Sequence, residues 1–435
     1  MRLFEGQAQM ETAEGHDQDT LVAYRPAIAS SPVAELERPE RATAWPGYPR
    51  RRGVAEWAGL RVAIVHEWLE AYAGSERVLE QLILCFPNAD VFAVVDFLPE
   101  RERHFLHGRK VRTTSIQRLP FSRRLFRSYL GLMPIAIQQL DLGGYDLVIS
   151  SNHAAAKGVL TGPDQVHVSY VHSPMRYVWD MQHQYLDQAG LDRGLKGMYA
   201  RWLFAKMREW DVSSAHHVDH FVANSGYIAR RITKAYRRDS EVIHPPVDID
   251  RFDVGTGKDD FYLLACRFVP YKRAEVVVEG FARRRNSHLV VVGDGPENER
   301  VRAAAGGAPN IEFKGVVSQR ELVDLMQRAR ALVFAAEEDF GITLVEAQAC
   351  GTPVIAYGRG GSTDIVVPPG ESRPTGLFFH RQDAEAVSDA VEQFEKFEPT
   401  FTSEACRMNA TRFSQSRFRA EIREFVDRAL VSAGR

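Results

Sequence analysis

Glu338 and Glu346, with seven residues between them, are the carboxylates whose placement could do chemistry. They lie in EEDFGITLVEAQACGTPVIAYGRGGSTDIV, residues 337–366. From about Thr343 to Cys350 the pattern is helical, and Gly351-Thr352-Pro353 stops it. Gly341, just ahead, lets a backbone come close to a ligand. Free amides and the dipole at such a helix start attract a phosphate, so Gly341, Ile342, Thr343 and Leu344 are expected to meet the anionic end of a donor. Glu338, before the helix, could then reach a sugar. Glu346, one turn in, could accept hydrogen bonds from vicinal hydroxyls. Glu337 is a neighbour in the wrong register, since only Glu338 has the spacing to Glu346. Taken alone, the pair fits a surface acid pair on an ordinary αβ unit equally well.

Cations supply a second signal. In CRFVPYKRAEVVVEGF (266–281), Arg267 ends a strand-like run and Lys272 begins a helical one. Two fixed cations at a strand–helix junction suit a diphosphate, with the arginine able to bind it bidentately. Solvated surface cations are the plain alternative. His172, in VHSPMRYVWD (171–180), follows an apolar strand and is placed at its carboxyl end. A core histidine bonded to backbone would read the same way. Gly74 sits in AYAGSERVLEQL (71–82), between the first strand and the first helix. VVGDGPENER (291–300) has Asn298 where a dinucleotide fingerprint needs its third glycine, so it reads as a turn.

The elements that must hold these residues alternate. Short apolar runs at 60–66, 91–95, 146–150, 167–172 and 220–224 are separated by helical patterns. After HPPVDID (244–250), whose prolines favour an extended link, a second series runs through 261–267, 288–294, 311–315, 331–336, 353–358 and 376–379. Strand alternating with helix implies βαβ units and parallel sheets covered on both faces. The expected fold is therefore α/β, with two doubly wound Rossmann-like domains and a substrate cleft between them. The boundaries are a disordered arm over 1–58, a first domain over 59–247, a second over 248–410, and a C-terminal helix over 411–435 that packs back on the first domain. The arm is polar, aperiodic and dotted with proline.

Composition narrows the class. In 435 residues, 45% are hydrophobic and 26% charged, as in a soluble globular chain, and the net charge of −2 gives no general pull toward nucleic acid. The four cysteines form no CxxC pair, which fits a reducing cytosol rather than a disulfide or zinc framework. No run reaches the length of a membrane span, and the N-terminus lacks a secretory pattern, so a cytoplasmic location is expected.

With these motifs in place, the chain resembles the family 4 glycosyltransferases, retaining enzymes of the GT-B fold. The likeness is strongest at 170–180 and 331–366 and extends over roughly 60–430. The resemblance implies that Glu338 and His172 lie at the donor sugar, that Glu346 holds the ribose, and that Arg267 and Lys272 neutralise the departing diphosphate. The loop at Gly74 resembles a Gly-Gly-x-Glu-Arg element facing the donor phosphates, but Ala73 replaces its first glycine, so only Gly74 is carried over. VHSPMRYVWD, the stretch 223–238 and HPPVD are similar to mannosyltransferases of O-antigen and exopolysaccharide assembly. That likeness implies hexose transfer from a nucleotide diphosphate sugar, GDP-mannose, to a saccharide or polyprenyl-diphosphate-linked acceptor. No cofactor and no metal are expected, because fixed cations replace them. A non-catalytic sugar-nucleotide or polysaccharide binding protein on the same fold is the rival reading. A dinucleotide oxidoreductase is disfavoured, since no GxGxxG follows the first strand.

One further stretch points to a surface. RLPFSRRLFRSYLGLM (118–133) spaces Phe121, Leu125, Tyr129 and Met133 four apart among Arg118, Arg123, Arg124 and Arg127. Such a helix could lie on an anionic membrane at the cytoplasmic face, or turn its apolar side inward. GLKGMYARWLFAKMREW (194–210) is also basic and aromatic, and packing is expected for it.

Overall fold

The computed structural model describes residues 59–434. The arm proposed for 1–58 lies outside the described residues.

Near-continuous apolar runs become fully buried parallel strands, because only a sheet covered on both faces can use them. The first sheet contains β1 (Val62–Leu69), β2 (Asp90–Asp96), β3 (Val111–Thr113), β4 (Leu147–Asn152), β5 (Val166–Val171), β6 (His220–Ala223) and β7 (Glu241–Val242), in the order 3-2-1-4-5-6-7. The second contains β8 (Tyr262–Ala265), β9 (Leu289–Val292), β10 (Ile311–Gly315), β11 (Leu332–Phe334), β12 (Val354–Tyr357) and β13 (Gly376–Phe379), in the order 10-9-8-11-12-13. All their pairings are parallel. Each strand expected from sequence is present. The short edge strands β3 and β7 were not anticipated, since two or three residues carry no measurable alternation.

Strand order reverses between β1 and β4 in one sheet and between β8 and β11 in the other. In open α/β sheets the crevice at such a switch point, beyond the carboxyl ends of the strands, is where ligands bind. Each sheet has a core on both faces, and every core is built from alternate strand residues and the helices that cover them.

The last helix, Gln415–Ser432, crosses back to the first domain. Phe418, Ile422, Phe425 and Val426 join Leu79, Leu82 and Ile83 of helix Gly74–Cys85 in one core. Arg417 donates to the His244 carbonyl at 2.9 Å, and Val247 bridges to Ser414, fixing where the chain re-enters.

The four-residue spacing in 118–133 does not make one helix. Phe121 takes φ +55°, Tyr129 leaves helical geometry, and the stretch breaks into short turns before helix Met133–Gln138. Its interior joins the core: Phe126, Leu130 and Met133 are buried. Arg127 is buried too, bonded to Glu70 and stacked over Phe126, so it is no surface cation. Arg118, Arg123, Arg124 and Phe121 remain exposed. Helix Gly194–Ala215 corrects the expectation of packing in part. One side of it is buried through Ala200, Phe204 and Met207, whereas Leu195, Met198, Tyr199 and Trp202 form a solvent-facing stripe. No helix among the described residues is long and apolar enough to cross a membrane. All four cysteines are free thiols.

Candidate active site

Arg267 follows β8 and Glu338 follows β11, so both stand at the switch point of the second sheet. The segment from Arg267 is buttressed from behind, where Phe268 donates its amide to the Asp294 carbonyl at 2.8 Å and Gly293 and Gly295 leave room for the backbone of Cys266–Phe268. This is the structural use of VVGDGPENER, a turn rather than a fingerprint. Arg267 keeps one guanidinium nitrogen, Nη2, buried with no hydrogen-bond partner among the described residues. An unpaired buried donor of that kind is costly unless a ligand completes it.

Lys272 closes a turn of 3₁₀ helix and is bonded directly to Glu338. Burial lowers the pKa of the ammonium, but Glu338 beside it and Tyr271 behind outweigh that and hold it above the usual lysine range. It is therefore a permanent positive charge in the site. Glu338 is held by its own main chain: Gly361 donates its amide to the Glu338 carbonyl at 2.8 Å, and a Cβ on Gly360 would strike that backbone.

Gly341 caps helix Ile342–Ala349 with φ +106°, which favours glycine, and no side chain caps the helix start. The amides there are open to an anion, except that Leu344 already donates to the Gly341 carbonyl at 3.0 Å. The Leu344 side chain lies wholly in the core, so only its main chain stands at the helix start. A Cβ on Gly74 would lie 3.3 Å from Ile342 Cδ1, so the Gly74 loop of the first domain sits directly opposite this helix start. Glu346 is almost fully buried and accepts from Arg77 Nη1 at 3.0 Å.

His172 stands just past β5, at the carboxyl edge of the first sheet. Its Nε2 bonds to the Ser151 hydroxyl at 2.8 Å. Burial, reinforced by His153 and His66, pushes its pKa well below the ordinary histidine value, so it is a neutral ring. The structure thus brings together Lys272 with Glu338 and Gly74 with Ile342. His172 stands apart from these, with its side-chain partners Ser151, His153 and Tyr170 all in the first domain.

Several residues at the site carried no recognisable signal in sequence. Asp339, next to Glu338, is gripped by Arg176 and Arg231 of the first domain, and its carbonyl accepts from the Ser225 hydroxyl. Asp364 accepts the Gly226 amide at 2.6 Å. The fully buried Glu67 carboxylate accepts the amides of His153, Ala154, Ala155 and Ala156 at 2.7–3.1 Å, fixing the loop beside His172. Such partners lie far apart in sequence, so no local spacing announces them.

Two family models match adjoining parts of the chain. Residues 72–251 match Glycosyltransferase Family 4, and residues 247–413 match Glycosyl transferases group 1. The chain belongs to these glycosyltransferases. Among curated relatives, it is 28% identical over 203 residues to a GDP-mannose-dependent monoacylated alpha-(1-6)-phosphatidylinositol monomannoside mannosyltransferase of Corynebacterium glutamicum, covering 40% of this chain and 52% of that one. It is 28% identical over 208 residues to a D-inositol 3-phosphate glycosyltransferase of Streptomyces scabiei, covering 40% and 46%. The chain spans about half the length of these relatives. Among solved structures, Anabaena Alr3699/HepE in complex with UDP superposes with a TM-score of 0.61 at 15% identity, covering 85% of this chain and all of that one. Sucrose-phosphate synthase from Thermosynechococcus elongatus gives 0.62 at 16%, covering 86% and 100%. At these identities the likeness is one of fold, the GT-B pair of Rossmann-like domains.

Proposed function

We propose that this glycosyltransferase moves a hexose, mannose from GDP-mannose, to a saccharide or polyprenyl-diphosphate-linked acceptor with retention of configuration. The observation that carries the reading is the set of cations left for an anion at the switch point. Arg267 offers an unpartnered buried donor, Lys272 a fixed charge, and the uncapped helix start its amides. Together these suit the negative charge that develops on a leaving diphosphate. Transfer would therefore need no divalent cation and would persist in excess chelator. The mannosyl donor is supported by the GDP-mannose-dependent relative, and the nucleotide character of the donor by a structural neighbour holding UDP-glucose.

In this reading the acceptor hydroxyl attacks from the face the diphosphate leaves. The departing phosphate oxygen takes the proton, so no enzymic nucleophile forms a covalent intermediate. Glu338 and the neutral His172 border an electron-poor sugar carbon without adding positive charge. Glu346 would take the ribose hydroxyls once Arg77 gives way. The rival, a binding protein without catalysis, is disfavoured by the presence of every charged group the chemistry asks for.

A thermal-shift series across nucleotide sugars tests the donor, because a ligand that binds the folded state alone raises its stability. GDP-mannose should raise the melting temperature more than UDP-glucose, UDP-galactose or ADP-glucose at equal concentration. A larger shift with a uridine donor would overturn the GDP-mannose assignment.

A lipid-linked acceptor requires approach to a membrane, and we assign that approach to the cytoplasmic face. It is supported by the stripe Leu195, Met198, Tyr199 and Trp202 with the exposed Arg118, Arg123 and Arg124. The Gly131 backbone lies against Leu203 of the same helix, so the two segments adjoin.

A further inference from the structure

Glu76, His66, Ser151 and His172 form a single file of hydrogen bonds beneath the cleft. Glu76 Oε1 lies 3.2 Å from His66 Nε2, His66 Nδ1 lies 3.0 Å from the Ser151 hydroxyl, and that hydroxyl lies 2.8 Å from His172 Nε2. Topology makes the file possible. β1, β4 and β5 are neighbours, His66 is in register with Ser151, and Ser151 with Tyr170. Side chains alternate along a strand, so His66, Ser151 and His172 share the face that helix Gly74–Cys85 covers. That helix brings Glu76 down onto His66. At its far end Glu76 also accepts the Ala73 amide at 3.0 Å and the Ser75 hydroxyl at 3.0 Å. The inner three members are almost wholly shut off from water.

We infer that Glu76, His66 and Ser151 are positioning residues that fix which ring nitrogen of His172 carries the proton, leaving its Nδ1 bare. The effect on transfer rests on the reading of the site given above; the proton order does not.

The order follows from donors and acceptors. Burial raises the Glu76 pKa, but the hydrogen bonds from His66 and the Ala73 amide work against it and the carboxyl is held below the usual range. An ionised carboxylate only accepts, so His66 Nε2–H donates to it. In the inferred order His66 carries its one proton on that Nε2, so its Nδ1 is bare and accepts the Ser151 O–H. The Ser151 oxygen accepts from His172 Nε2–H. His172 Nδ1, on the side of the ring away from Ser151, has no hydrogen-bond partner among the described residues. A bare nitrogen there accepts a hydrogen bond from a sugar hydroxyl and places no charge beside a carbon that is becoming positive. The same file ends on the amide of Ala73, so the loop that faces the donor and the histidine that meets the sugar rest on one carboxylate.

Nitrogen NMR of the full chain labelled with ¹⁵N-histidine tests this, with the His172 signals assigned by their loss in His172→Asn. In the parent protein His172 should be the Nε2–H tautomer. Ser151→Ala removes one buried oxygen and should leave mixed tautomers. Glu76→Gln should invert the order. The amide oxygen stays on the Ala73 N–H, the NH₂ donates to His66 Nε2, each bond reverses in turn, and His172 becomes the Nδ1–H tautomer. A Nδ1–H tautomer in the parent protein, or a tautomer unchanged in both variants, overturns the inference; should Glu76→Gln not fold, Ser151→Ala decides alone. In transfer from GDP-mannose, Ser151→Ala should lower kcat about tenfold, one hydrogen bond's worth, with the donor KM unchanged. A shifted tautomer with unchanged kcat would overturn the catalytic part. Absence of transfer in the parent protein would count against the proposed reaction and leave the tautomer result standing.

Discussion

At the scale of single residues, the proposed site is a set of charges that differ in how they are partnered. Lys272 already has a partner in Glu338, whereas Arg267 keeps a buried nitrogen without one. Their removal should therefore act differently on the ligand-free protein and alike on the reaction. Arg267→Ala and Lys272→Ala should each slow transfer roughly a hundredfold or more, as loss of a preorganised charge does. Lys272→Ala also strands Glu338 in a half-buried pocket, so its melting temperature should fall, whereas that of Arg267→Ala should not. Steady-state rates and melting curves of the purified variants check both, and near-normal turnover in either removes that residue from the diphosphate site. The residues proposed for the donor stand out in sequence because their spacing is local: seven residues between Glu338 and Glu346, four between Arg267 and Lys272. Asp339, Arg176 and Arg231 were not, because their contacts join positions more than a hundred residues apart. His66 and Ser151 were illegible for a related reason: they meet only once strand order is known.

At the scale of elements, apolar pattern predicted every interior strand and failed at the margins. β3 and β7 are edge strands too short to show a period. The stretch 118–133 failed in the opposite way, since a period of four was present but Pro120 and the left-handed Phe121 broke the chain before it could become a helix. The C-terminal helix is where pattern and packing agree. Phe418, Ile422, Phe425 and Val426 fill the groove over helix Gly74–Cys85, the same helix that carries Gly74, Glu76 and Arg77. Losing four such side chains would cost on the order of 8 kcal/mol at about 2 kcal/mol each, comparable to the whole stability of a domain. A chain ending at residue 411 should therefore be insoluble or melt far below the parent. A soluble truncation with full activity, read by expression and calorimetry, would contradict this.

At the scale of the whole molecule, two exposed segments of the first domain depart from the rest. The chain carries a net charge of −2, yet Arg118, Arg123 and Arg124 stand exposed, and so does the apolar stripe of helix Gly194–Ala215. Each cation near an anionic bilayer is worth about 1 kcal/mol, and the attraction fades with salt. Co-sedimentation should therefore show binding to vesicles containing phosphatidylglycerol but not to phosphatidylcholine alone, weakened by salt and by Trp202→Glu or charge reversal at Arg123 and Arg124. Equal recovery in the supernatant with both lipids would leave the stripe without that role. Across the cleft, the two domains are tied by Arg77 to Glu346, by Arg176 and Arg231 to Asp339, and by Gly226 to Asp364. The first of these ties occupies the carboxylate proposed for the ribose. On the proposed reading, donor binding would be an exchange of partners, in which the nucleotide displaces the Arg77 guanidinium before it gains Glu346. Affinity for a donor would then be what remains after that exchange, so the Arg77–Glu346 pair would set a threshold against weakly held sugars.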